Sequence, residues 1–181
     1  VFPAMAQDLL KDVDGGGIRG WEDIVRITYE IMQGLKYIHS KNKKVGIAIC
    51  DISKINFFIK CKIDFFKILS KDIDNYELLK EISKTKKPIF LSTGMANISE
   101  ITVAYNLLIS GSRKLAILHC VSAYPIEEKD ANLYAITALQ SKFNDCLIGY
   151  SDHTNGIKVP LYAVTLGAKI IEKHFRISDE M

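Results

Sequence analysis

Two histidines pose the first chemical question in this 181-residue chain. His153 closes the run Gly149-Tyr150-Ser151-Asp152-His153, and His174 closes Ile170-Ile171-Glu172-Lys173-His174. Both runs are apolar and β-prone. Side chains two apart on a strand share a face, so Ser151 accompanies His153 and Glu172 accompanies His174. If the runs are neighbouring parallel strands, the imidazoles stand roughly 5 Å apart. Such a pair can share one divalent metal, with Asp152 or Glu172 adding an oxygen ligand or orienting a ring. Taken singly, each histidine reads equally well as a satisfied core or rim residue. Lys67 raises a second question, because it lies inside the apolar run DFFKIL (64–69). An ammonium in a strand covered on both faces is costly unless paired. It can bind an anionic ligand, form a Schiff base, or snorkel to the surface. Ser70 and Asp72 follow at the same strand end. Ser92-Thr93-Gly94 closes PIFLS (88–92), where hydroxyls before a helix suit phosphate binding or only a helix cap. His119 sits within LAILHCV (115–121) and reads as a packing or orienting residue, His39 as a surface position on a helix.

These residues need a scaffold, and the chain supplies a regular beat from residue 45. Short apolar runs at 45–50, 64–69, 88–92, 115–121, 146–151 and 168–175 have the near-continuous hydrophobicity of strands covered on both faces. Helical patterns lie between them, at 53–61, 76–84, 98–110, 132–143 and 156–167. Pro160 falls within the first turn of the last of these, where a missing N–H is tolerated. Strands alternating with helices predict an α/β fold with a parallel sheet. Polar residues gather at the C-terminal ends of the strands, as in a (β/α)8 barrel. Six βα units are recognisable. Residues 1–44 form an atypical N-terminal segment, with a Gly-rich loop at 12–20 and one amphipathic helix at 21–41. Gly15, Gly17 and Gly20 match G-x-G-x-x-G, but no strand precedes them, and a loop is the expectation.

Composition narrows the function. The length suits about one domain. An apolar fraction of 48% and a charged fraction of 25% are ordinary for a globular protein. The 24 basic and 21 acidic residues interleave, which leaves no electrostatic footprint for nucleic acid. KNKK (41–44) and KTKK (84–87) read as solvated helix ends. No run approaches the roughly 18 apolar residues of a membrane span, and VFPAMAQDLL does not resemble a secretory signal. Cys50, Cys61, Cys120 and Cys146 form no C-x-x-C pair, so buried free thiols in a reducing cytoplasm are expected. The chain begins with Val1 and stops at Ser178-Asp179-Glu180-Met181, and we expect a fragment.

Five segments carry a resemblance. KPIFLSTGMANISEI (87–101), HCVSAYPIEEKDANL (119–133), IGYSDHTNGIKV (148–159), LGAKIIEKHF (166–175) and DFFKILSKD (64–72) together resemble the sialic acid synthase family: the N-acetylneuraminate, legionaminate and pseudaminate synthases. The resemblance spans about residues 45–179. It implies a TIM barrel whose enzyme condenses phosphoenolpyruvate with an N-acetylated sugar aldehyde, usually N-acetylmannosamine or its 6-phosphate. The products are a nine-carbon 2-keto acid and phosphate. By position, it gives Lys67, Ser70, Ser92 and Ser151 to phosphoenolpyruvate and places Tyr124 in the lining of the site. His153 and His174 become the ligands of a divalent metal, manganese before magnesium, and Asp72 the carboxylate that handles protons. Family members are homodimers.

The sequence also departs from the family pattern. Ala48-Ile49-Cys50-Asp51 stands where the family usually has Thr-Pro-Phe-Asp, so Ala48 replaces a phosphate-contacting hydroxyl. The family's first two strands have no counterpart in residues 1–44, and its small antifreeze-like domain has none in the chain. Two alternatives therefore stand beside the synthase: an inactive or incomplete remnant of one, and a Schiff-base aldolase using Lys67.

Overall fold

Six apolar runs pair side by side in a computed structural model that describes residues 21–111 and 114–175. The strands are β1 (Gly46–Ala48), β2 (Phe65–Ile68), β3 (Ile89–Ser92), β4 (Leu115–Cys120), β5 (Leu147–Asp152) and β6 (Ile171–Lys173). They form one parallel sheet in the order β1-β2-β3-β4-β5-β6. Parallel neighbours in strict chain order are the staves of a (β/α)8 barrel, and six of the eight are present among the described residues. The helices are α1 (Trp21–Ser40), α2 (Ile55–Lys60), α3 (Tyr76–Lys84), α4 (Ile98–Ile109), α5 (Tyr134–Lys142) and α6 (Lys158–Thr165). None is long and apolar enough to cross a membrane.

Alternation along the strands divides the sheet into two faces. One face carries Phe66, Ile68, Ile89, Leu91 and Ile117, all fully buried. They join the helix residues Leu78, Leu79 and Ile82 of α3, Leu108 of α4 and Ile136 of α5 in a single core. Each such side chain contributes about 1.5–3 kcal/mol by leaving water. The other face belongs to the barrel interior and carries the polar residues of interest. Capping sets where the helices start. Asn75 Oδ1 accepts from Leu78 N–H at the start of α3. Asn97 and Glu100 form a reciprocal capping box on α4. At the end of α6, Gly167 adopts φ +95°, and Ala168 N–H reaches back to the carbonyl of Ala163 at 3.0 Å. Glycine is suited to this left-handed turn because it lacks a Cβ.

Most expected elements are present, with informative differences. β1 and β6 are shorter than the runs at 45–50 and 168–175. Each has one neighbour among the described residues, so only one ladder defines its length. The helix expected over 53–61 splits into a 3-10 turn (Ile52–Lys54) and α2, because the Asp51 side chain accepts from Ser53 N–H and starts a tight turn first. The expected helix at 21–41 is α1. The G-x-G-x-x-G stretch lies outside the described residues. Exposed His39 makes a bond the sequence did not suggest: its Nε2 meets Asp64 Oδ2 at 2.9 Å. Asp64 also accepts Val45 N–H at 2.8 Å and pairs with Lys44 at 3.2 Å. The Val45 hydrogen bond, helped by those from His39 and Lys44, holds the Asp64 carboxyl at about 2. The four cysteines are unpaired. Cys61 and Cys120 are buried, Cys146 is half-buried, and Cys50 is exposed rather than buried.

Candidate functional site

Strands β2, β3 and β5 deliver Lys67, Ser92 and Ser151 to the interior face, and β6 brings Glu172 alongside Ser151 in register. Lys67 is only 7% exposed and does not snorkel. Its Nζ donates to Ser92 Oγ at 2.6 Å and to one oxygen of Glu172 at 2.5 Å. Ser151 Oγ donates to the other Glu172 oxygen at 3.0 Å. A buried ammonium is tolerated when a carboxylate and further hydrogen bonds replace its water. This network satisfies that condition and joins four strands, β2, β3, β5 and β6.

Ser70 stands just past β2, in a 3-10 turn over Ser70–Asp72. Its Oγ accepts Gly94 N–H at 3.0 Å and lies 3.1 Å from Cys120 Sγ. Gly94 is required by space. A Cβ there would come within 2.2 Å of Ser122 Oγ, 2.9 Å of Cys120 Sγ and 3.0 Å of Ser70 Oγ. Thr93 is turned to the sheet instead, its N–H and hydroxyl both donating to the Leu118 carbonyl. Its hydroxyl is therefore structural.

The histidines meet as their spacing predicts, with ring centroids 5.7 Å apart. His153 Nδ1 lies 2.6 Å from the Val121 carbonyl oxygen. A carbonyl can only accept, so Nδ1 carries the proton, and in the neutral ring Nε2 keeps its lone pair. Histidine metal ligands are commonly prepared in this way. The Tyr124 ring lies 3.9 Å from His153 and 5.5 Å from His174, centroid to centroid.

A cavity of about 310 Å³ is lined by Lys67, Ser70, Ser92, Tyr124, Ser151, His153 and His174. A wider recess of about 580 Å³ shares Tyr124 and both histidines and continues past Thr154 and Asn155. Seven of the eight residues singled out from sequence thus share one wall. The eighth, Asp72, sits in the Ser70–Asp72 turn but does not line the cavity, and its Oδ2 is buried without a hydrogen-bond partner.

Two expectations need correction. Asp152 does not orient an imidazole, because strand alternation points it to the helix-facing side. There it pairs with Lys173 and accepts from Thr154 N–H and Oγ1. Burial alone would raise its carboxyl, but these bonds from Lys173 and Thr154 bring it below the usual range. Glu172 shares the histidines' face yet is engaged by Lys67 and Ser151. Among the described residues no third His, Cys, Asp or Glu joins the pair into a metal-holding cluster. His119 behaves as expected of a packing residue. It stacks on Tyr150 and bonds the Ala131 carbonyl at 2.9 Å, and burial pushes its imidazole down.

The sequence reading missed Cys120, Ser122, Lys71 and Met95, which also line the cavity. Cys120 was legible by alternation, since it aligns with Ser151. Ser122 lies in the irregular segment after β4, where no period applies.

Comparison with known proteins bears on the family and the fold. An uncharacterized protein of Methanocaldococcus jannaschii is 44% identical over 144 residues, covering 77% of this chain and 42% of that one. The N,N'-diacetyllegionaminic acid synthase of Campylobacter jejuni is 41% identical over 146 residues, covering 77% and 43%. The crystal structure of the spore coat polysaccharide biosynthesis protein SpsE of Bacillus subtilis superposes with a TM-score of 0.81 at 34% identity, over 83% of this chain and 43% of that one. The chain spans about two-fifths of the length of these curated relatives. The model of the NeuB family matches residues 28–181, so the likeness begins inside α1, earlier than the motifs alone suggested. With that match over most of its length, the chain belongs to the NeuB family.

Proposed function

We propose that the protein condenses phosphoenolpyruvate with an N-acetylated sugar aldehyde (N-acetylmannosamine, its 6-phosphate or a related amino sugar) to give a nine-carbon 2-keto acid and phosphate. One observation carries the reading. Lys67, Ser92 and Ser151 are gathered around a carboxylate in the cavity that His153 and His174 also line. An ammonium and fixed hydroxyls are the chemistry that holds a substrate carboxylate or phosphate. The name of the Campylobacter relative, a legionaminic acid synthase, supports the same reaction class.

In the reaction, the enol π pair of phosphoenolpyruvate forms the new bond from C3 to the aldehyde carbon. The cationic centre left at C2 takes up water and loses a proton. Cleavage of the C2–O bond then releases phosphate. One phosphoenolpyruvate, one aldehyde and one water give one 2-keto acid and one phosphate. Lys67 neutralises the anionic substrate. Ser70 accepts Gly94 N–H, so its own proton can be donated to a phosphate oxygen. The proton lost as water adds passes to solvent, because Asp72, the carboxylate the resemblance gives to this step, does not line the cavity and is out of reach of the added water. His153, through Nε2, and His174 are the residues that would hold a divalent metal, manganese before magnesium. When bound, the metal supplies a Lewis acid that polarises the aldehyde oxygen. Two imidazole nitrogens are donors that would suit such an ion.

The working protein is taken to be a homodimer, on the family resemblance. Four unpaired thiols, one of them exposed, suit a reducing, cytoplasmic compartment. The test incubates the purified chain with phosphoenolpyruvate, manganese and each N-acetylated sugar in turn, and analyses the products by mass spectrometry. A 2-keto acid that forms with one sugar and not without it is the expected result. Pyruvate and phosphate formed without regard to sugar would refute the reading.

A further inference from the structure

Glu172 is the group at the cavity for which the proposed chemistry has no use, yet it holds the centre of the polar network. One oxygen takes the Lys67 ammonium at 2.5 Å, and the other takes the Ser151 hydroxyl at 3.0 Å. A serine has a single proton to donate. The proton of Ser151 is committed to Glu172, so Ser151 can donate to a substrate anion only after releasing that carboxylate. Lys67 has three protons, one of which goes to Ser92. An anion that stayed beside Glu172 would place two like charges against one ammonium. The Glu172 side chain is 44% exposed and lines both the cavity and the small recess beside Asp152 and His174. It can turn aside within that space without crossing the core.

We infer that Glu172 is an internal competitor for the anion site. Its carboxylate takes the seat that a substrate carboxylate or phosphate needs, and an anionic substrate binds by displacing it. The residue therefore sets how tightly the cavity takes phosphoenolpyruvate, and weakly basic or singly charged anions are rejected because they do not repay the lost pair. The inference rests on the reading of this cavity as the phosphoenolpyruvate site. The opposing arrangement, in which Glu172 stays put and merely holds Lys67 in place, predicts the opposite sign for its removal.

The test is calorimetric binding of phosphoenolpyruvate to the full chain and to Glu172→Gln, which keeps the shape and a hydrogen-bond acceptor for Lys67 but not the charge. Loss of a competing charged hydrogen bond should tighten binding by about tenfold or more. KM for phosphoenolpyruvate should fall in parallel, by a larger factor than any change in KM for the accepted sugar. Glu172→Asp keeps the charge but is one methylene too short to span Lys67 and Ser151, and its affinity should fall between the two. If Glu172→Gln fails to fold by circular dichroism, the Asp variant decides alone. Binding tighter than the parent's supports displacement, and equal or weaker binding overturns it. If the parent itself shows no saturable binding of phosphoenolpyruvate, the reading of the cavity fails and this inference with it. If the parent binds and neither variant binds tighter, only the inference fails.

Discussion

A histidine is prepared for a metal by what its other nitrogen does. In His153 that nitrogen is tied to the Val121 carbonyl, a bond no spacing rule predicts because Val121 lies in the segment after β4. The face shared by Ser151 and His153 was legible from alternation alone, and so was the match of His153 to His174 one βα unit on. The partner of Lys67 was not, because Glu172 is 105 residues away in sequence. Two further residues give direct tests. Gly94→Ala forces a methyl against Ser122, Cys120 and Ser70. Overpacking of this kind costs about 1–3 kcal/mol. It should lower the melting temperature and raise KM for phosphoenolpyruvate several-fold through the displaced Ser70, as thermal denaturation and initial rates would report. Asp64 carries the pH test. Its carboxyl is held at about 2 in the folded protein, against about 3.9 in an unfolded chain. A depressed pKa stabilises the fold above the unfolded value, and that stability fades as pH falls from about 4 through about 2. Asp64→Asn should cost about 1–3 kcal/mol at neutral pH. The gap to the parent should close as acid is added, as urea unfolding across that range would show.

At the scale of elements, the polar ends of the strands become a site because the helices hold the strands in register. Helix α4 begins at a reciprocal cap, with Asn97 Oδ1 accepting from Ser99 and Glu100 N–H and Glu100 reaching back to Asn97 N–H. It follows β3 through the Ser92-Thr93-Gly94 turn, so its start fixes where that turn sits. Asn97→Ala should cost about 1 kcal/mol, seen as a lower urea midpoint with an unchanged m-value. The elements themselves were largely legible. The run at 76–84 became α3 with its bounds intact because its apolar residues Tyr76, Leu78, Leu79 and Ile82 recur at spacings of three and four. The ends of β1 and β6 were not, because hydrophobicity continues through 45–50 and 168–175 while the ladder does not. The 3-10 turns before α2 and at Ser70–Asp72 were also missed. They are set by local hydrogen bonds, which leave no periodic trace.

On the scale of the whole molecule, the six parallel strands of the described residues turn their C-terminal ends to one mouth, and β2 to β6 or the segments just past them carry the candidate chemistry. Barrels place reactive groups there because loops can vary while the staves stay packed. The sheet order was legible from the βα beat. The convergence of residues from five strands on one 310 Å³ cavity follows only from closing that order in space. The measurement closest to the central claim is phosphate release from phosphoenolpyruvate by the purified chain with manganese and the accepted sugar, run with and without EDTA and with His153→Ala. The account predicts release that needs the sugar, stops with EDTA and resumes with added manganese, and falls by about 100-fold or more in His153→Ala, the loss of several kcal/mol of Lewis-acid stabilisation. Release that ignores the sugar, or that is equally fast in His153→Ala, would contradict it.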